Sequence, residues 1–194
     1  FSMEKTKTKI LTECGILIAL AAVLSLIKVF KLPWGGSITL LSMLPICLIS
    51  IRHGVKTGLF SSFVYAVIQL VFGILFDGLL GWGLTVGALI SCILLDYIIA
   101  FTVLGLAGIF ADKGMSGVIG GTVLAVFLRF VSHVFSGVFI FASAGKLWEG
   151  FETSNTWLYS IVYNGCYMLP ELIFTCIGAA VVYKAVFKAT KMKL

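Results

Sequence analysis

Asp96 stands inside an uninterrupted apolar run, Leu84 to Leu106, long enough to cross a bilayer. A second apolar run carries Arg129 and His133. These two are four residues apart and therefore share a helix face, which Ser136 and Gly137 extend by another turn. A third run opens with Tyr159, Tyr163, Asn164 and Tyr167, and Asn164 shares a face with Glu171 seven residues on. A charge at the centre of a membrane helix costs about 2.5–3.5 kcal/mol on insertion scales, so such groups face inward and mark functional sites. Two readings of Asp96 are open. It can form a structural ion pair with Arg129, or it can meet a cationic or hydrogen-bond-donating ligand. In the second reading the tyrosines stack on a flat ring or hold a cation, at about 0.5–2 kcal/mol per contact. His133 by itself would be a packing residue and gains meaning from its neighbours, among which Tyr97 adjoins Asp96. Glu171, beside Pro170, is expected to fill the hydrogen-bonding gap at a proline kink.

The elements that must position these groups are transmembrane helices. The chain has 194 residues, 60% hydrophobic and 11% charged, with a mean hydropathy of +1.14. Soluble domains carry about 25% charged residues. The fold expected is an all-α integral membrane protein, one domain over residues 1–194, with six spans. They run over Ile10–Phe30, Ile38–Ile51, Val55–Phe76, Leu84–Phe110, Gly117–Ala142 and Trp157–Phe187. The second is short and holds Pro45; the last should bend at Pro170.

The formal charge of +6 is unevenly placed. Lys5, Lys7 and Lys9 precede the first run, Arg52, Lys56 and Lys113 occupy alternate connections, and Lys184, Lys188, Lys191 and Lys193 fill the tail. Lys28, Lys31 and Lys146 fall on the other side and are offset by Asp77, Glu149 and Glu152. By the positive-inside rule both termini are cytoplasmic. The basic residues form no patch with interleaved aromatics, which argues against nucleic acid. The first run is too long for a cleavable signal peptide, and Phe1-Ser2 before Met3 reads as an expression scar.

Two connections, 31–37 and 145–156, are substantial and carry tryptophan. They read either as an interfacial aromatic belt or as lids over a site. Small residues recur four apart at Gly15/Ala19, Gly54/Gly58, Gly83/Gly87 and Gly117/Gly121, a spacing that lets helices pack closely, within the chain or against a partner.

Several chemistries are excluded or demoted. The chain has no GxxxxGK[ST] loop, no HExxH and no GxSxG. Asp96 lacks an intramembrane aspartate partner, and Ser132, next to His133, faces elsewhere. Its five cysteines are odd in number and form no CxxC pair, so neither a disulfide framework nor a metal site is expected. An enzyme is not expected.

The order of Trp34-Gly-Gly-Ser-Ile-Thr, Leu44-Pro-Ile, Ile51-Arg-His-Gly, Leu95-Asp-Tyr-Ile-Ile-Ala-Phe, Gly105-Leu-Ala-Gly-Ile-Phe, Arg129-Phe-Val-Ser-His and Tyr159-Ser-Ile-Val-Tyr-Asn-Gly resembles the thiamine-specific substrate-binding subunits of energy-coupling-factor vitamin transporters. The resemblance covers nearly the whole chain. It implies a six-helix subunit of the bacterial cell membrane that captures thiamine at the outer face. Such a subunit docks on a transmembrane coupling subunit with two ATPases; it needs no cofactor, and ATP is used only by the partners. On this resemblance Trp34, Asp96, Tyr97, Arg129, His133, Phe141, Tyr159 and Asn164 contact the vitamin, and Gly15 and Ala19 belong to the docking stripe. The family can have glutamate at Asp96, lysine at Arg129 and a stacking tryptophan at Phe141. The 77–83 connection is longer than the family pattern and leaves an aromatic contact there unassigned. The alternatives are a subunit for riboflavin or the hydroxymethylpyrimidine half of thiamine, a stand-alone secondary transporter, or an intramembrane enzyme.

Overall fold

A computed structural model describes residues 2–32, 36–142 and 144–188. Helix α1 (Ser2–Leu26) leads into a hairpin of β1 (Lys28–Lys31) and β2 (Ser37–Thr39). Helices α2 (Met43–His53) and α3 (Val55–Phe76) follow. After a short 3-10 turn at Leu79–Gly81 comes a continuous helical rod, α4 (Val86–Leu106). Then come α5 (Gly114–Phe139), a second hairpin of β3 (Gly145–Trp148) and β4 (Phe151–Thr153), and α6 (Thr156–Val182). Five helices are long and apolar enough to cross a membrane; α2 is apolar but has only 11 residues.

The second expected span therefore shortens. Residues Ile38 and Thr39 belong to β2, and α2 starts at Met43 with Pro45 in its first turn. A proline there forfeits no helical hydrogen bond, because the first N–H groups have no intrahelical partner. The protein is mostly helical, as expected, with two short antiparallel hairpins in the two long connections. Aromatic and β-branched residues at Val29, Phe30, Ile38, Trp148 and Phe151 suit strands, and pairing satisfies backbone groups that a loose loop would leave open.

Burial follows membrane logic. Leu11, Ile16, Phe60, Leu75, Leu169 and Ile177 are exposed on the outer helix surfaces, where lipid would cover them. The inner core mixes Met43, Ile46, Tyr65, Leu104 and Val126 with buried Ser50, Ser62, Thr122 and Thr175. Without a hydrophobic drive between helices in lipid, close backbone approach and interhelical hydrogen bonds hold the bundle. Ser50 Oγ donates to the Gly105 carbonyl at 2.5 Å and accepts from the Gly108 amide at 2.9 Å, joining α2 to the end of α4. A Cβ on Gly105 would lie 2.4 Å from the Leu59 amide nitrogen, and one on Gly121 would lie 2.1 Å from the Ala107 carbonyl oxygen. At one end Glu13 of α1 takes Arg52 at 3.1 Å and His53 at 2.9 Å. At the other, Asp77 at the end of α3 takes Lys28 at 2.7 Å and Lys31 at 3.0 Å. Burial pushes the Asp77 carboxyl up, but the two lysines outweigh it and hold the group below its ordinary value.

Two outcomes follow from this packing. Gly121→Ala should destabilise the protein by about 1–3 kcal/mol through overpacking, whereas Gly87→Ala, with nothing within 4 Å of its Cβ, should not; thermal unfolding in detergent separates them. A carboxyl held low in the folded state adds stability above its ordinary value of 3.8 and loses it as pH falls through the lower folded value. The stability gap between the native chain and Asp77→Asn should accordingly be constant at neutral pH and close on acidification; a gap that widened on acidification would contradict the assignment.

Candidate functional site

A cavity of about 150 Å³ opens between α1, α3, α4, α5, α6 and the first hairpin. One corner is the acidic one. Residues Ile93–Ile99 of α4 form a π-helical segment. Neighbours in an α-helix diverge by about 100°; the wider π turn narrows that angle, and both Asp96 and Tyr97 reach the cavity wall. Asp96 Oδ1 accepts from His133 Nδ1 at 2.8 Å. Its Oδ2 accepts from the Ser136 hydroxyl and from the Cys92 thiol at 3.3 Å. Arg129 Nε donates to His133 Nε2 at 3.3 Å, and its guanidinium lies over the Phe101 ring, 4.1 Å from the centroid. A guanidinium can only donate, so Nε2 must accept. His133 is thus the neutral tautomer with its proton on Nδ1, handed to the carboxylate.

Asp96 and Arg129 are consequently linked through His133 rather than directly paired. Ser132 donates to the Leu95 carbonyl at 2.5 Å, fixing α5 against α4 beside this network. The Ser136 hydroxyl serves Asp96, not His133, so no serine–histidine nucleophile is assembled.

The opposite wall belongs to α6. Tyr159 and Tyr163 lie near-parallel with centroids 6.3 Å apart, and Tyr167 meets Tyr163 edge-on at 6.0 Å. Asn164 is buried: its Nδ2 donates to the carbonyls of Ser160 at 2.9 Å and His133 at 3.3 Å, and its Oδ1 accepts from Tyr167 at 2.6 Å. The amide hydrogens are thus spent on the protein, and Oδ1 keeps a second lone pair. The expected role of Glu171 at the Pro170 kink is corrected. Its Oε1 accepts from the Thr39 amide and, at 2.7 Å, from the Thr39 hydroxyl, so it holds β2 to α6. Tyr163 performs a similar task nearby, its hydroxyl accepting from the Gly36 amide at 3.2 Å.

Of the residues singled out by sequence, Asp96, Tyr97, Arg129, His133, Phe141, Tyr159 and Asn164 all line this cavity. Trp34 lies outside the described residues. Gly15 and Ala19 are exposed on α1 and are not among the lining residues; a Cβ on Gly15 would meet nothing within 4 Å. Sequence reasoning missed Trp82, which stands at 6.0 Å from Phe141 and donates its indole N–H to the Asp77 carbonyl at 3.1 Å. Its signal was a tryptophan between two glycines, just after the acidic Asp77. Lys28, Gln69, Thr39 and Glu171 join the wall as well. Lys28 and Lys31 both answer Asp77, whereas Asp96 meets neutral or weakly polar donors and is joined to Arg129 only through His133.

The chain is 33% identical over 181 residues to the thiamine transporter ThiT of Bacillus subtilis, covering 86% of each chain. It is 23% identical over 153 residues to ThiT of Lacticaseibacillus paracasei, covering 72% of this chain and 69% of that one. The solved structure of ThiT from Listeria monocytogenes superposes with a TM-score of 0.72 at 25% identity, over 94% of this chain and 97% of that one. These relatives are named as transporters, not enzymes. With five helices of membrane-crossing length, the chain is a multi-pass protein of the bacterial cell membrane. The sequence model of the thiamine transporter proteins (Thia_YuaJ) matches residues 11–191, and the chain belongs to that family.

Proposed function

We propose that the chain is the thiamine-binding membrane subunit of an energy-coupling-factor importer. It would take thiamine from outside the cell and deliver it by docking to a coupling subunit served by two ATPases. The observation that carries the reading is the cavity wall, which is aromatic and holds the Asp96 carboxyl with no lysine or arginine among the described residues paired directly to it. Thiamine joins a permanently positive thiazolium to a flat aminopyrimidine. A fixed positive charge beside Asp96 is attracted to that carboxyl, and a low-dielectric interior strengthens the attraction. Trp82, Phe141, Tyr159 and Tyr163 supply ring faces and edges, and offset or cation–π contact with such rings is worth about 0.5–2 kcal/mol each. Asp96 has both oxygens engaged by the protein, so it acts on the ligand through its field and through hydrogen-bond positions left on those oxygens. Asn164 Oδ1 and Glu171 Oε2 are further acceptors on the same wall; the latter has no partner among the described residues. A site that leaves such groups unpaired discriminates against ligands lacking the donors.

In this reading α2 completes a single six-helix domain, and both termini face the cytoplasm. That orientation rests on the lysines and arginine of the tail and of alternate connections. The same orientation places both hairpins and the cavity mouth outside. The exposed, unobstructed Gly15 and Ala19 surface of α1 supports close approach by a partner helix. The chain has no phosphate-binding loop of its own, consistent with energy supplied by other subunits.

Asp96→Asn should weaken thiamine binding at least about tenfold, the scale of losing one charge interaction of 1.4 kcal/mol, while the protein stays folded. Titration in detergent by tryptophan fluorescence measures it, with riboflavin and hydroxymethylpyrimidine as comparison ligands; unchanged affinity would remove Asp96 from the site, and tighter binding of either comparison ligand would remove the thiamine assignment. Gly15→Trp should abolish uptake in cells that supply the coupling subunits and leave thiamine affinity intact. Uptake by the chain alone in proteoliposomes would instead indicate a secondary transporter.

A further inference from the structure

The cluster Lys28–Asp77–Lys31 is not used by the site as described so far, yet Lys28 and Asp77 border the cavity. In a regular strand, residues three apart point to opposite faces. The first hairpin departs from this. Lys28 pairs with Thr39 while Phe30 pairs with Ile38, so Val29 is an extra residue in β1. A bulge of this kind re-aims the side chains beyond it. Here it returns Lys31 to the face of Lys28, and both ammonium groups converge on one carboxylate. Lys28 Nζ donates to Asp77 Oδ1 at 2.7 Å and Oδ2 at 3.0 Å, and Lys31 Nζ donates to Oδ1 at 3.0 Å. The Asp77 carbonyl meanwhile accepts from the Trp82 indole, so the same residue steadies an aromatic wall of the cavity. Among the described residues, the hairpin is also moored to α6, through Thr39 on Glu171 and Gly36 on Tyr163. Without Asp77 the hairpin stays hinged on α6 and loses its hold on α3.

We propose that Asp77 is a positioning residue for ligand retention: through Lys28 and Lys31 it latches the bulged first hairpin to the end of α3 and so slows escape of a bound molecule. The inference rests on the thiamine-binding reading and adds to it a residue that governs how long the ligand stays. A latch of this type acts on dissociation, because closure follows encounter. Lys28 and Asp77 are 24% and 16% exposed and Lys31 52%, so the contacts remain open to screening by salt.

The test is stopped-flow tryptophan fluorescence with thiamine on the full chain in detergent. Asp77→Asn should raise the dissociation rate about fivefold, the scale of a partly exposed ion pair, with the association rate changed less than about twofold. The double substitution Lys28→Gln with Lys31→Gln should match it, and Lys31→Gln alone should do less. The triple reversal Lys28→Glu, Lys31→Glu, Asp77→Lys should return dissociation toward the native rate. High salt should speed dissociation from the native chain and leave Asp77→Asn unmoved. Native dissociation kinetics in Asp77→Asn, or a slower association accompanied by a lower unfolding temperature and no rescue by the reversal, would overturn the latch while leaving thiamine binding in place. A native chain that gives no thiamine signal would overturn the binding reading and the latch with it.

Discussion

The chain of contacts from Arg129 through His133 to Asp96 is the constraint on which the rest of the site depends. Three ionisable side chains sit in the middle of an apolar bundle, where an isolated charge would be prohibitively expensive. The guanidinium fixes the imidazole tautomer, and the imidazole then donates its remaining proton to the carboxylate. Because Ser136 and Cys92 also donate to Asp96, the carboxylate is held from both α4 and α5. Its orientation is settled before any ligand arrives, so binding need not pay to order it. The Phe101 ring beneath Arg129 completes the arrangement by spreading the positive charge over a π face.

Around this network the bundle inverts the usual division of residues. Large apolar side chains cover the outside, and small or hydroxyl-bearing ones mediate contact within. Ser50 bridges two glycine backbones, and Ser132 ties two helices through a carbonyl. Such contacts are short and directional, so they fix helix positions more sharply than greasy packing alone. That rigidity suits a cavity whose walls come from five helices. The first hairpin, by contrast, is attached to the helices through a few side chains.

Much of the site was legible in the sequence because helical spacing is simple arithmetic. The four-residue step from Arg129 to His133 and the position of Asp96 within a span sufficed to bring these groups together. The tyrosines and Asn164 of α6 followed in the same way. What was hidden involved distance or irregularity. Glu171 finds its partner Thr39 132 residues away, and nothing near Pro170 reports that. The hairpins were hidden because strands of three or four residues are too short to carry a distinctive periodicity. Trp82 belongs to a loop, where spacing rules do not apply. The π-helical turn at Asp96 and Tyr97 was likewise invisible, since its sequence is as apolar and helix-compatible as its surroundings. The engagement of the Asn164 amide by backbone carbonyls also needed coordinates, because a free amide and a satisfied one read alike as letters.

The shortness of α2 has a geometric consequence. Ser42, just before it, borders the cavity, and its last residues, Arg52 and His53, meet Glu13 at the far end of the bundle. Eleven residues advance at most about 16 Å along a helix axis, against about 30 Å of hydrocarbon. Measured along this helix, the cavity and the Glu13 cluster are therefore separated by only about half the thickness of a bilayer core.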